Sequence, residues 1–146
     1  MTDVQPQAAG VPEGFAPHFR KSPLTDPWEP LYSRITGDAV VLGVLTSEGH
    51  CNSRGLVHGG LISALADNAM GLSCVHAHKQ AGKEVLGAVT VTLHVDFLRP
   101  VKQGQWLEFV TTAIKTGRQM DMAQGMVTAD GRDCAFVSAT FSVVPA

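Results

Sequence analysis

The sequence predicts an α+β fold in which one long helix is wrapped by a mostly antiparallel sheet. Three observations predict it. Residues 59–79 are rich in Ala, Leu and Met, hold no proline, and repeat Leu61, Leu65, Leu72 and Val75 at helical spacing. The segments on either side are rich in Val, Leu, Ile and Thr and read as strands. Turn formers separate the later strands, at Thr116-Gly117-Arg118 and Asp130-Gly131-Arg132, and an Asp-Gly pair is a strong hairpin signal.

The elements follow in order. Six of the eight prolines fall within residues 1–30, a spacing that forbids long helices and central strands. That stretch is expected to be a frayed start and then an irregular arm, pinned to the core by Phe15, Phe19, Leu24 and Trp28. The single domain is expected over 31–146. Residues 31–47 read as two strands broken at Thr36-Gly37-Asp38, and 48–58 as a loop. The helix comes next. Residues 86–98 alternate, with Val89, Val91, Leu93, Val95 and Phe97 predicted on one face, until Arg99-Pro100 ends the strand. Strands are expected over 105–115, 119–129 and 133–144. The predicted order is β-β-α-β-β-β-β, and such a chain buries its helix against the sheet.

Composition narrows the function classes. A chain of 146 residues with 45% apolar and 16% charged side chains is one ordered domain. Eleven basic residues against thirteen acidic ones show no nucleic-acid footprint. No apolar run approaches the ~18 residues of a membrane span. The first ten residues lack the basic and apolar regions of a secretory leader. The three cysteines, Cys51, Cys74 and Cys134, form no C-x-x-C pair. Cys74 and Cys134 sit in apolar surroundings and read as buried small hydrophobes. A cytoplasmic protein is expected.

On a wheel of about 100° per residue, Leu61, Leu65 and Leu72 cluster, flanked by Val75 and Ala64. That face is predicted to press on the sheet, with Asn68 as a structural hydrogen-bonder beside it. Asp67 points nearly opposite, with Ser63, Met70, Gly71 and Cys74 around it. A helix apolar on both sides is buried on both sides, and the obvious cover in so small a chain is a second copy. A carboxylate there is costly unless paired or useful. From position alone, an Asp bonded to backbone or Arg fits as well as a catalytic one.

The helix start is the second clue. Gly59 and Gly60 let a ligand approach the backbone closely. Free N–H groups at a helix start can hold an anion or polarise a carbonyl. Equally, the glycines can serve only a tight entry turn.

The string VHGGLISALADNAMG, followed by VTVTLHVDFLRPVKQG, resembles the hotdog-fold acyl-CoA thioesterases, in particular their phenylacetate-pathway (PaaI-like) branch, over roughly residues 31–144. The resemblance implies a helix wrapped by its sheet, and homodimers pairing into a homotetramer with acyl-CoA sites between subunits. It implies Asp67 as general base or, less readily, nucleophile, and the Gly60 N–H as donor to the thioester carbonyl. Asn52 and His58 match residues that position the thioester and the attacking water, contributed by the opposite subunit from Asp67. Thr90 matches a hydroxyl that orients the water, and His94 a site-lining position. It implies no metal and no cofactor beyond the substrate's own CoA.

Other residues have simpler readings. His76 and His78, two apart, cannot chelate together from a regular helix. His18 and His50 carry no signal. Arg99 and Arg118, with Lys102 and Lys115, are candidates for the CoA phosphates, although simple solvation accounts for each alone. Met70, Met120 and Met122 fit an acyl pocket or ordinary core. Asn68 and the long arm depart from the family pattern. Two other functions stay open: a non-catalytic acyl-CoA-binding protein, and a hotdog hydratase or dehydratase.

Overall fold

A computed structural model describes residues 8–146. The fraying expected of the first residues, Pro6 among them, lies outside that range. The elements are β1 (Ala16–Pro17), β2 (Tyr32–Thr36), β3 (Ala39–Leu45), α1 (Gly59–Gln80), β4 (Val85–Phe97), β5 (Trp106–Lys115), β6 (Met120–Ala129) and β7 (Arg132–Pro145). They form one antiparallel seven-stranded sheet in the order β1-β2-β3-β5-β6-β7-β4, and α1 packs on its inner face. Every predicted element is present, and β1 is added from within the arm.

The hairpins follow from their turn residues. Asp130 and Gly131 both take positive φ, 46° and 79°, between the paired Ala129 and Arg132. This is the left-handed pair that matches strand twist.

The helix faces differ from the wheel prediction. The stripe against the sheet is Ile62, Leu65, Ala66, Ala69, Met70 and Ser73, all buried. The two alanines let the helix sit close, and the Ser73 hydroxyl accepts the Val40 N–H at 2.9 Å, tying α1 to β3. Met70 and Cys74 therefore belong to the core rather than to the Asp67 side. Leu72 and Val75 are only half-buried and line a cleft with Asp67 and Asn68. Weighting the large leucines displaced the predicted core face around the helix.

Strand β4 also departs from simple alternation. A bulge lies between Thr90 and Thr92 in its pairing with β7. Thr90 pairs with buried Phe141, whereas Thr92 pairs with Thr140 on the outer face. Ala88 and Thr90 face the helix before the bulge, and Leu93, Val95 and Phe97 face it afterwards. The five apolar residues predicted on one face are thus split, with Val89 and Val91 left exposed. One extra residue changes the phase of everything beyond it.

The arm wraps the β2 edge. Phe15 packs edge-on against Trp106 on the outer face, ring centroids 5.1 Å apart. Gly43 makes room, since a Cβ there would lie 2.3 Å from the indole. Trp28 packs on the main core beside buried Leu31. Phe19 and Leu24, predicted as pins, are exposed instead. Buried His50 accepts the Ser47 N–H at Nδ1 and donates from Nε2 to the Trp28 carbonyl, 2.9 Å each, fastening the arm to the loop before the helix.

His18 is buried with neither ring nitrogen hydrogen-bonded among the described residues. Burial holds its pKa below the usual histidine value, against the opposing pull of Glu29. The unfolded chain then binds the proton more readily, so stability is complete above about pH 6.5 and is lost as pH falls below it. His18→Leu is expected to remove part of that acid sensitivity and to be neutral or stabilising at pH 7. Tm measured from pH 5 to 8 checks this, and an unchanged profile would reject burial as the cause.

Candidate active site

The Asp67 side chain leaves the middle of α1 on the side facing β4. The β4 bulge delivers Thr90 to it, and the Thr90 hydroxyl donates to Asp67 Oδ1 at 2.6 Å. Without the phase change, either Thr90 or Val95 would face away from the helix. Asp67 is half-buried, and one of its oxygens is held while the other has no partner among the described residues and is open to a ligand or water.

Around this pair lies an open cleft of about 160 Å³. Gly71, Leu72 and Val75 of α1 form one wall, and Gly87 and Ala88 of β4 the other. Phe141 is its floor, and a Cβ on Gly71 would come within 3.3 Å of that ring. Asn68 and Arg20 complete the polar part. Sequence reading placed Asn68 elsewhere and missed Arg20 altogether. Arg20 stands between prolines in a segment with no periodicity, so nothing in the sequence marks it.

The helix start is arranged differently from expectation. His58 is the N-cap, and its Nδ1 accepts the Gly60 N–H at 2.8 Å. The donor predicted to be free is therefore engaged by the chain's own imidazole. Gly59 lies against the Phe97 ring, where a Cβ would sit 3.1 Å away. Asn52 Oδ1 accepts the N–H groups of Arg54 and Leu56 at 2.9 and 3.2 Å, shaping the loop that feeds the helix. Its amide nitrogen is left over.

Other candidates stand apart from Asp67. His94 is on the outer face, where Nε2 contacts Asp96 Oδ2 at 3.1 Å in an exposed pair. The bulge separates it from Thr90, with which simple alternation had grouped it. Arg99 follows β4 near the helix start, whereas Arg118 lines a surface hollow with His78 near the helix end. A helix of 22 residues is about 33 Å long, so one chain does not bring the two arginines together. Lys115 and Met122 line a groove on the outer face.

His76 and His78 diverge, as their spacing requires. His76 donates from Nε2 to the Gly37 carbonyl at 3.1 Å. Buried His78 instead meets both oxygens of Asp121, at 2.9 and 3.0 Å, and Asp121 also accepts the Gly117 N–H. Among the described residues, no three His, Cys, Asp or Glu side chains gather as a metal site would require. Cys74 and Cys134 are buried free thiols, as expected, and burial pushes their pKa values up to about 12 and about 11. Among the described residues, no helix is long and apolar enough to cross a membrane.

Residues 54–135, which run from the loop before α1 to the start of β7, match the family model of the thioesterase superfamily. The chain belongs to the thioesterase superfamily. This thioesterase-superfamily chain is 36% identical to "Putative esterase PA0474" of Pseudomonas aeruginosa over 90% of its own length and 96% of that protein's. Its fold is the hotdog fold. A hypothetical thioesterase of Streptococcus pneumoniae, solved with coenzyme A, superposes with TM-score 0.70 at 21% identity, covering 81% of this chain and 91% of that one. A mutant of the phenylacetic acid degradation protein PaaI of Thermus thermophilus superposes with TM-score 0.67 at 22% identity, covering 83% and 98%. The chain is thus a thioester hydrolase by family, with the helix and sheet that its HGG and LAD strings led one to expect.

Proposed function

We propose that the protein is an acyl-CoA thioesterase, releasing a free acid and CoA. One observation carries the reading: a helix carboxylate, oriented by the Thr90 hydroxyl, opens on a cleft with apolar walls. The pneumococcal thioesterase with coenzyme A supports CoA as the carrier. Asp67 takes a proton from water as that water attacks the thioester carbon. The Gly60 N–H stabilises the developing oxyanion, a donor typically worth about 10²–10³ in rate. The intermediate then collapses, the C–S bond breaks, and the proton returns to the CoA sulfur. A thiolate leaves readily, so no metal or cofactor is needed. His58 must release Gly60 for the carbonyl to bind, which places the imidazole beside the reacting atoms. Asn52 offers its amide nitrogen from the neighbouring loop. A non-catalytic acyl-CoA-binding protein would have no use for a carboxylate held in this way.

The site needs two copies of the chain. Gly60 and Asp67 lie seven residues apart on one helix, about 10 Å along its axis. A water on Asp67 cannot reach a carbonyl held by the same chain's Gly60, because reacting atoms must be about 3–3.5 Å apart. Strand β4 is one edge of the sheet and exposes Leu86, Val89 and Val91. A second copy laid along it brings its own helix start towards Asp67, and dimers of this kind pair into a homotetramer. Sedimentation velocity at micromolar concentration is expected to show a dimer or larger. An active monomer would sink the two-copy site.

CoA release, followed with a thiol-reactive dye over short, medium, long and aromatic acyl-CoAs, tests the activity. Turnover that is lost in Asp67→Ala is the expected result. Tight acyl-CoA binding without turnover of any of them would favour the binding protein.

A further inference from the structure

Arg20 reaches the Asp67 cleft from the opposite end of the chain's fold. The arm leaves β1 at the β2 edge of the sheet and passes over the helix to the β4 side. Its course is fixed on both sides of Arg20. The His18 N–H donates to the Leu31 carbonyl at 2.9 Å, with the ring buried. Lys21 pairs with Glu29 at 2.7 Å, and Ser22 bonds to buried Thr25. The Arg20 guanidinium, in contrast, makes no hydrogen bond or ion pair among the described residues. It does not engage Asp67, the one carboxylate lining the same cleft. An exposed cation with five donors and no acceptor therefore overlooks a small hollow lined by both polar and apolar side chains.

The part of the hollow on this chain is about 160 Å³, close to the cavity of about 150 Å³ that holds one benzene molecule, and it opens towards the face that a second copy covers. The part of an acyl-CoA that fits is the acyl group, entering past Asp67 towards Leu72, Val75 and Phe141. Gly71 keeps the floor open, since any side chain there would press on Phe141.

We propose that Arg20 is a specificity-determining residue that binds a carboxylate at the free end of the acyl group. The preferred substrates are then acyl-CoAs whose acyl group ends in an anion. The planar guanidinium suits a carboxylate through paired N–H bonds, and it offsets the repulsion that a second negative charge would feel from Asp67. This rests on the acyl-CoA reading in taking the acyl group as the occupant. The same anion chemistry is present in the CoA phosphates, so the test separates the two sources.

Binding of non-hydrolysable thioethers by calorimetry makes the test independent of turnover. The four ligands are S-(3-carboxypropyl)-CoA, S-butyl-CoA and the same two thioethers of pantetheine, which has no phosphate. Arg20→Gln is expected to weaken both carboxypropyl ligands about 10- to 100-fold and to change both butyl ligands less than about twofold. Arg20→Lys is expected to restore part of the loss. A loss shared by both CoA ligands and absent from both pantetheine ligands would assign Arg20 to the phosphates and overturn the proposal. Equal affinities in wild type and Arg20→Gln would overturn it as well. The CoA-release assay judges hydrolysis separately. A chain that prefers carboxypropyl ligands through Arg20, yet hydrolyses no thioester, would reject the thioesterase reading and keep this one.

Discussion

Asp67→Asn is expected to lower kcat by about 10²–10⁴ with little change in KM or Tm. The amide has the shape of the carboxylate and still accepts from Thr90, whose hydroxyl lies 2.6 Å from Oδ1. It cannot take a proton from water. The loss therefore falls on the chemical step, which a fall in kcat and kcat/KM together reports. Thr90→Val is expected to cost less, on the order of tenfold, the worth of one hydrogen bond to a charged group. Thr90→Ser should recover that loss, because the hydroxyl and not the methyl holds the carboxylate. Parent-like turnover in Asp67→Asn would end the general-base assignment. A parallel collapse of Tm would make Asp67 a structural residue instead, the reading its position alone left open.

The second large effect is on stability. His78→Ala is expected to cost about 3–5 kcal/mol, because it leaves Asp121 buried without its partner. Native stability is only about 5–15 kcal/mol, so a fall in Tm on the order of 10 °C follows. The pair joins the last turn of α1 to the start of β6, and Asp121 also holds the Gly117 N–H of the β5–β6 turn at 3.0 Å. Breaking it frees three elements at once. Replacing both partners, His78→Leu with Asp121→Val, is expected to cost less than the single change, since no lone charge remains. Urea melts of the two singles and the double provide the cycle. A cost below about 1 kcal/mol for His78→Ala would show that the pair is solvated.

The fold was legible in the sequence because its signals are local. Helical spacing, strand alternation and an Asp-Gly turn each involve residues close in the chain. The candidate site was legible only in part. Asp67 stood out as the one carboxylate on the helix, with small and apolar neighbours, and HGG marked the helix entry. The β4 bulge was not legible, because it is a matter of pairing with Phe141 and Thr140 some fifty residues later. It cost His94 its expected place and gave Thr90 a better one. The helix faces were misjudged because Ala66, Ala69 and Ser73, small residues with weak signals, belong to the buried stripe. His58 and Asn52 came with the resemblance, but their local hydrogen bonds depend on loop geometry that residue types do not reveal. Arg20 depends on where a long arm returns in space.

The β4 bulge has a consequence for the ways this gene can change length. Upstream of Val91 the strand serves the carboxylate, and downstream it serves the core. Deleting Val91 would set Thr90 beside Thr92, opposite Phe141 and Thr140, in a continuous ladder that satisfies both parities. Losing a residue further along, within 93–97, would instead turn the core-facing residues beyond it outward. The strand has room for one residue outside the count, and Val91 occupies it.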